Sequence, residues 1–178
     1  MTELSTVKLA LPSDEGPLME LLRQMWKENG LASLDEDRVR HFLHRGIARD
    51  KAIIGVIRGP DTIEASVGLF VGTWWYSTEN HIEDLFSYVA TPYRRSTHAK
   101  SLIEFAKNCS MQLGMPLLMG VLSSDRTAAK VKLYERMLPK LGALFVYNGS
   151  EAPGLVSARP PSQTAAAYGV RRDVQGRL

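Results

Sequence analysis

The chain has 178 residues, 44% of them hydrophobic and 23% charged, with a formal net charge of +3; this is enough for one domain with its own core, and too mildly basic for a nucleic-acid-binding face. A single cysteine, Cys109, excludes an intramolecular disulfide and fits a reducing compartment. The first residues lack a charged and then apolar leader, and no apolar run approaches the roughly 20 residues that cross a bilayer, so the expected location is cytoplasmic with no membrane partner.

Residues 7–11 predict a short strand. Ser13 then offers a helix cap, and Leu18, Leu21, Leu22, Met25 and Trp26 recur at helical spacing as a core face that stops near Gly30. Ser33 or Asp35 starts a second helix, with Val39, Phe42, Leu43 and Ile47 on one side. Residues 51–58 and 62–73 are apolar and β-branched, and Gly59-Pro60-Asp61 between them predicts a hairpin. A strand over 81–89 leads into a helix whose face carries Ala99, Leu102, Ile103, Ala106, Cys109 and Leu113 and which ends near Gly114. A buried strand over 115–122 follows. Ser124 or Asp125 caps a last helix through Met137, with Ala129, Leu133, Tyr134 and Met137 on one face, and residues 144–147 close the sheet. The order β-α-α-β-β-β-α-β-α-β predicts a mixed α/β fold with helices on both faces of the sheet. Beyond Asn148 the composition turns to Pro, Ser, Ala and Gly without periodicity. This divides the chain into a domain over 1–148 and an extended tail over 149–178.

The most informative stretch runs from Ile82 to Phe105. A strand with an acidic pair passes through a proline turn and a double arginine directly into a helix. The first N–H groups of a helix have no partner within it, and the helix dipole turns its positive end toward them. Such a junction holds anions. Arg94, Arg95, Ser96 and Thr97 at that point predict a phosphate, with His98 at its edge. On a regular strand Glu83 and Asp84 face opposite sides, and Glu83 shares its side with Leu85, Ser87 and Val89. The aromatic pair Trp74 and Trp75, in the link between two strands, is a candidate wall for a substrate pocket, with Asp84 beside it. Cys109 lies on the apolar helix face and is expected to be an inert thiol.

The stretch from Val89-Ala90-Thr91-Pro92-Tyr93-Arg94 through Arg94-Arg95-Ser96-Thr97-His98-Ala99 resembles the CoA-binding loop of the GNAT superfamily of acyl-CoA N-acyltransferases. Leu133-Tyr134-Glu135-Arg136 resembles that family's second signature. The resemblance covers roughly residues 7–147 and is most similar to small acetyltransferases often encoded by phages and prophages. It implies a central mixed, mostly antiparallel sheet flanked by helices and acetyl-CoA as co-substrate. The acceptor is then a primary amine that attacks the thioester directly, without metal. By the same resemblance, residues 94–99 hold the CoA diphosphate, a backbone N–H near Val89 polarises the thioester carbonyl, Glu83 is the general base with Asp84 as the competing candidate, and Tyr134 protonates the leaving thiolate. The family's frequent dimers leave a homodimer open.

Thr97 and Ala99 stand at the two glycine positions of the family loop, where a Cβ crowds the approach to phosphate. That departure sustains an alternative: an inactive GNAT-like protein that binds CoA as a sensor or assembly piece.

Overall fold

The computed structural model describes residues 4–123 and 126–142. Five strands and four α-helices follow in the order β1 (Lys8–Leu9), α1 (Glu15–Asn29), α2 (Glu36–Ala48), β2 (Ala52–Arg58), β3 (Ile63–Thr73), β4 (Asn80–Val89), α3 (His98–Leu113), β5 (Leu117–Leu118) and α4 (Thr127–Met137). The expected caps Ser124 and Asp125, the closing strand over 144–147 and the tail from 149 lie outside the described residues.

The strands form one sheet in chain order, β1-β2-β3-β4-β5. The first three pairings are antiparallel, and β5 lies parallel to β4. The helices cover both faces. Leu18, Leu21 and Leu22 of α1 and Leu43 of α2 pack on Ile54, Val56, Phe86 and Tyr88. On the other face, Leu102, Ala106 and Cys109 of α3 pack on Val67, Leu69 and Ile82. The predicted mixed fold with helices on both faces is the one observed.

Local chemistry explains where elements begin and end. Asp35 caps α2 by accepting the Arg38 N–H at 3.1 Å. Gly114 ends α3 in the left-handed region, at φ 64°. Ser13 does not cap α1. It lies inside a 3-10 turn over Pro12–Asp14, and the first α-helical residue is Glu15. The buried Asp14 carboxylate organises this corner. It accepts the Leu11 N–H at 2.6 Å and the Arg58 Nε–H at 2.9 Å. Leu11 is thereby drawn out of β1, which pairs with β2 only at Lys8 and Leu9.

Three expectations need correction. The strand expected over 115–122 is only Leu117–Leu118, because Gly120 gives its N–H to the Asp84 carboxylate at 2.8 Å instead of to a neighbouring strand. Trp26 is not in the core. Its indole N–H reaches across the α1–α2 loop to the Ala32 carbonyl at 2.7 Å. The side-chain alternation along β4 also breaks. Gly68 of β3 pairs with Phe86, and the next residue, Leu69, pairs with Asp84, so Leu85 is bulged out. The bulge puts Asp84 and Ser87 on the α3 side, with Ile82 and Val89, whereas Glu83 faces the α1–α2 side with Phe86 and Tyr88.

Gly68 makes room for this bulge. A Cβ there would lie 2.3 Å from the Phe86 ring, which in turn meets Phe42 edge-on with centroids 6.1 Å apart. Gly68→Ala is expected to destabilise the fold by about 1–3 kcal/mol through overpacking. The check is the denaturant midpoint, and an unchanged midpoint would show that the ring has room to move aside.

Candidate active site

A cleft of about 1130 Å³ opens along β4 on the side away from β3. Its cause is the short β5. The two strands pair only at Ile82–Leu117 and Glu83–Leu118 and then part, leaving the second half of β4 with an open edge among the described residues. The Ala90 N–H bonds the Glu64 carbonyl of β3 at 2.9 Å. Antiparallel alternation therefore turns the Val89 N–H the other way, toward the open edge.

Asp84, Ser87 and Tyr134 meet where the strands separate. Burial pushes the Asp84 carboxyl up to about 6, a rise that the Gly120 N–H opposes and the neighbouring Glu83 charge assists. Burial also pushes the Tyr134 phenol up to about 12. The Asp84 charge adds to that rise, and hydrogen bonding with the Ser87 side chain works against it. The result is a carboxylate able to take a proton near neutral pH beside a phenol that keeps its own. Glu83 also lines the cleft, but from the other face of β4, with His81 Nε2 3.8 Å away.

The predicted loop residues separate into three groups. Ser96 and Ala99 line the cleft at the start of α3. The Ser96 hydroxyl donates to the Tyr93 carbonyl at 2.6 Å and accepts the His98 N–H at 3.1 Å. This leaves the N–H groups of Ala99 and Lys100 without a protein partner among the described residues. Arg95 is exposed on the same turn. Arg94 lines the cleft too, but its guanidinium is paired with Glu28 of α1, lies 5.6 Å from the Tyr88 ring centroid, and donates to the Val89 carbonyl at 3.3 Å. It braces the loop from inside, where the sequence suggested a phosphate contact.

Thr97 and His98 face away from the cleft. The Thr97 hydroxyl lies 3.2 Å from that of Ser5, and the buried His98 ring bridges Ser5 at 2.8 Å and Glu64 at 2.7 Å. His98 therefore pins the N-terminal segment and β3 to α3, and is no phosphate-edge residue. Thr97 has φ −84°, so the backbone at this position does not require glycine. Trp74 and Trp75 do not line the cleft. The Trp74 ring lies tilted against His81, with centroids 4.3 Å apart, and Trp75 is 94% exposed. Burial raises the Cys109 thiol above its ordinary range, which fits an inert group.

Glu28 is the residue that sequence reasoning missed. Besides Arg94, it accepts the Tyr88 hydroxyl at 2.8 Å and the Thr91 hydroxyl at 3.2 Å. Burial raises its carboxyl, but these donors outweigh that and hold it below its ordinary range. Helical periodicity places Glu28 as one more charge near the end of α1 and carries no sign of a partner 66 positions away. No helix among the described residues is long and apolar enough to cross a membrane.

A sheet flanked by helices on both faces, opened between a bulged β4 and a parallel β5 beside the start of α3, is the fold of the GNAT acetyltransferases. Solved structures with this fold include the ribosomal-protein-alanine N-acetyltransferase of Brucella melitensis biovar Abortus 2308, at 16% identity and TM-score 0.62, covering 82% of this chain and 99% of that one. The aminoglycoside 6'-N-acetyltransferase AAC(6')-IG of Acinetobacter haemolyticus is 16% identical at TM-score 0.60, covering 83% and 99%. AAC(6')-Iy, solved with a CoA bisubstrate analogue, is 10% identical at TM-score 0.63, covering 82% and 98%. No protein-family model and no curated protein matches the chain.

Proposed function

We propose that the protein transfers an acetyl group from acetyl-CoA to a primary amine. The observation that carries this reading is the convergence of Asp84, Ser87 and Tyr134 at the parting of β4 and β5, next to an α3 start whose Ala99 and Lys100 N–H groups have no partner among the described residues. The CoA diphosphate would take the N–H groups of Ala99 and Lys100, with Ser96 and Arg95 beside them. The Val89 N–H would polarise the thioester carbonyl. The amine nitrogen attacks that carbon, forming the C–N bond, and Asp84 takes the proton the nitrogen sheds. As the C–S bond breaks, Tyr134 donates its hydroxyl proton to the departing sulfur. Asp84 thus takes the role the family resemblance gave to Glu83, because it shares a face with Tyr134 and Glu83 does not. The Thr97 side chain lies against Ser5, outside the cleft, which weakens one ground for an inactive CoA binder, while the Ala99 Cβ stays in the lining. The domain over residues 1–148 and the tail over 149–178 are part of the same proposal.

The test is calorimetric titration of the full chain with CoA and acetyl-CoA, followed by thiol release with a panel of amines. Saturable binding is expected, and Arg95→Ala should weaken it about tenfold, the worth of one charge-assisted hydrogen bond. Binding with no thiol release on any amine would leave the protein a CoA sensor. Absence of binding would remove the proposal.

A further inference from the structure

His98 is 7% exposed and borders a second cavity, apart from the cleft. This cavity holds about 380 Å³ between the N-terminal segment, β2, β3 and the start of α3, with Ser5, Lys8, Glu64 and His98 in its walls. Three of these form a chain. The Ser5 hydroxyl lies 2.8 Å from His98 Nδ1, and His98 Nε2 lies 2.7 Å from a Glu64 carboxylate oxygen. None of the three lines the cleft.

The end group of the chain decides where the protons sit. An ionised carboxylate only accepts, so Nε2 carries the proton in the bond to Glu64. In a neutral ring Nδ1 is then an acceptor, and the Ser5 hydroxyl donates to it. The Thr97 hydroxyl, 3.2 Å from Ser5 Oγ, can in turn donate to that oxygen. A serine that gives its proton toward a histidine, whose far nitrogen is held by a carboxylate, is the arrangement that makes a hydroxyl nucleophilic. It is recognised by geometry and roles, not by position in the sequence. The same contacts tie the N-terminal segment to α3 and β3, but a tie alone does not need to end on a half-buried hydroxyl in a cavity wall.

We propose that Ser5 and His98 are the catalytic pair of a second site, with Glu64 as their positioning residue, and that this site hydrolyses carboxylic esters of short acyl groups. Ser5 Oγ attacks the ester carbonyl carbon while His98 Nδ1 takes the hydroxyl proton. The bond from that carbon to the alcohol oxygen breaks, and His98 gives the proton to the departing alkoxide. Water then attacks the acyl carbon on Ser5 and passes a proton to His98. The bond from the acyl carbon to Ser5 Oγ breaks, the carboxylic acid leaves, and His98 returns the proton to Ser5. Glu64 steadies the imidazolium at each stage, and the Lys8 ammonium in the same wall offers positive charge to the carbonyl oxygen. A short acyl group suits a cavity about a third the volume of the cleft. The activity uses neither CoA nor the cleft, so it stands or falls separately from acetyl transfer.

The experiment uses the full chain without CoA and two probes. Diisopropyl fluorophosphate reports the nucleophile through the phosphoryl group it leaves on a serine, located by peptide mass spectrometry. 4-Nitrophenyl acetate reports turnover through released nitrophenol. The folded chain should take one diisopropylphosphoryl group, on Ser5, and the urea-unfolded chain none there. Nitrophenol should appear as a burst followed by steady release, and both phases should vanish in Ser5→Ala. Glu64→Gln keeps an oxygen for the Nε2 proton and loses only the charge, so it tests the relay without removing the tie. It should slow labelling and release by about 10²–10⁴-fold, the usual worth of a positioned general base. No label on Ser5, or a Glu64→Gln chain that reacts as fast as wild type, would overturn the site. A burst with no steady release would overturn hydrolysis.

Discussion

Asp84→Asn is expected to lower acetyl transfer by about 10²–10⁴-fold, the usual worth of a positioned general base. In the wild-type chain kcat/KM should rise with pH through about 6, where the Asp84 carboxyl titrates in the folded protein. That limb should be missing from whatever activity the asparagine variant retains. The same substitution should act on stability with the opposite sign. The folded-state value lies above the ordinary 3.8, so the folded chain holds this proton more tightly than the unfolded chain does. Stability therefore falls as pH rises from about 4 through about 6, and above that range the buried charge is a standing cost. Asparagine carries no charge and keeps an oxygen for the Gly120 N–H. The variant should thus melt at a higher temperature than wild type at pH 8, with the difference shrinking toward pH 4. An asparagine variant as active as wild type would remove Asp84 from the chemistry, and one with a lower Tm at pH 8 would show that its charge is no burden to the fold.

Tyr134→Phe is expected to reduce kcat by about 10²–10⁴-fold while leaving CoA affinity within a few-fold of wild type. The phenol is held at about 12, so it remains protonated across the physiological range and can act as an acid toward the departing sulfur. Phenylalanine keeps the ring and loses only the O–H, so a structural role would leave turnover largely intact. The two variants are also expected to be non-additive, because Asp84 and Tyr134 influence each other directly. A Tyr134→Phe chain that retains full kcat but binds CoA poorly would make the tyrosine a wall of the cleft and nothing more.

The element order was legible in the sequence because each element carries a local signal. Leu18, Leu21 and Leu22 mark one helix face, Gly59-Pro60-Asp61 marks a turn, and Gly114 marks a helix end. The position of the α3 start was legible for the same reason. Which residues face the cleft was not, because the Leu85 bulge shifts the two-residue period midway along β4, so that Asp84, and not Glu83, shares a face with Ser87 and Val89. The only cue was Gly68 on the neighbouring strand, where a missing side chain admits the Phe86 ring. The surroundings of Arg94 and His98 were illegible for a related reason. Their partners, Glu28, Glu64 and Ser5, are brought to them by the fold from more than 30 positions away. A basic residue beside a helix start looks the same in sequence whether it awaits an anion or already has one.

The carboxylate of Glu28 gives the cleft an uneven stiffness. It is a strut between the last turn of α1 and the threshold of α3, so these two walls of the cleft are locked into one frame. Helix α4, which carries Tyr134, has no fully buried side chain to anchor it. The Tyr134 phenol therefore rides on a helix outside that braced frame, tied to β4 through Ser87.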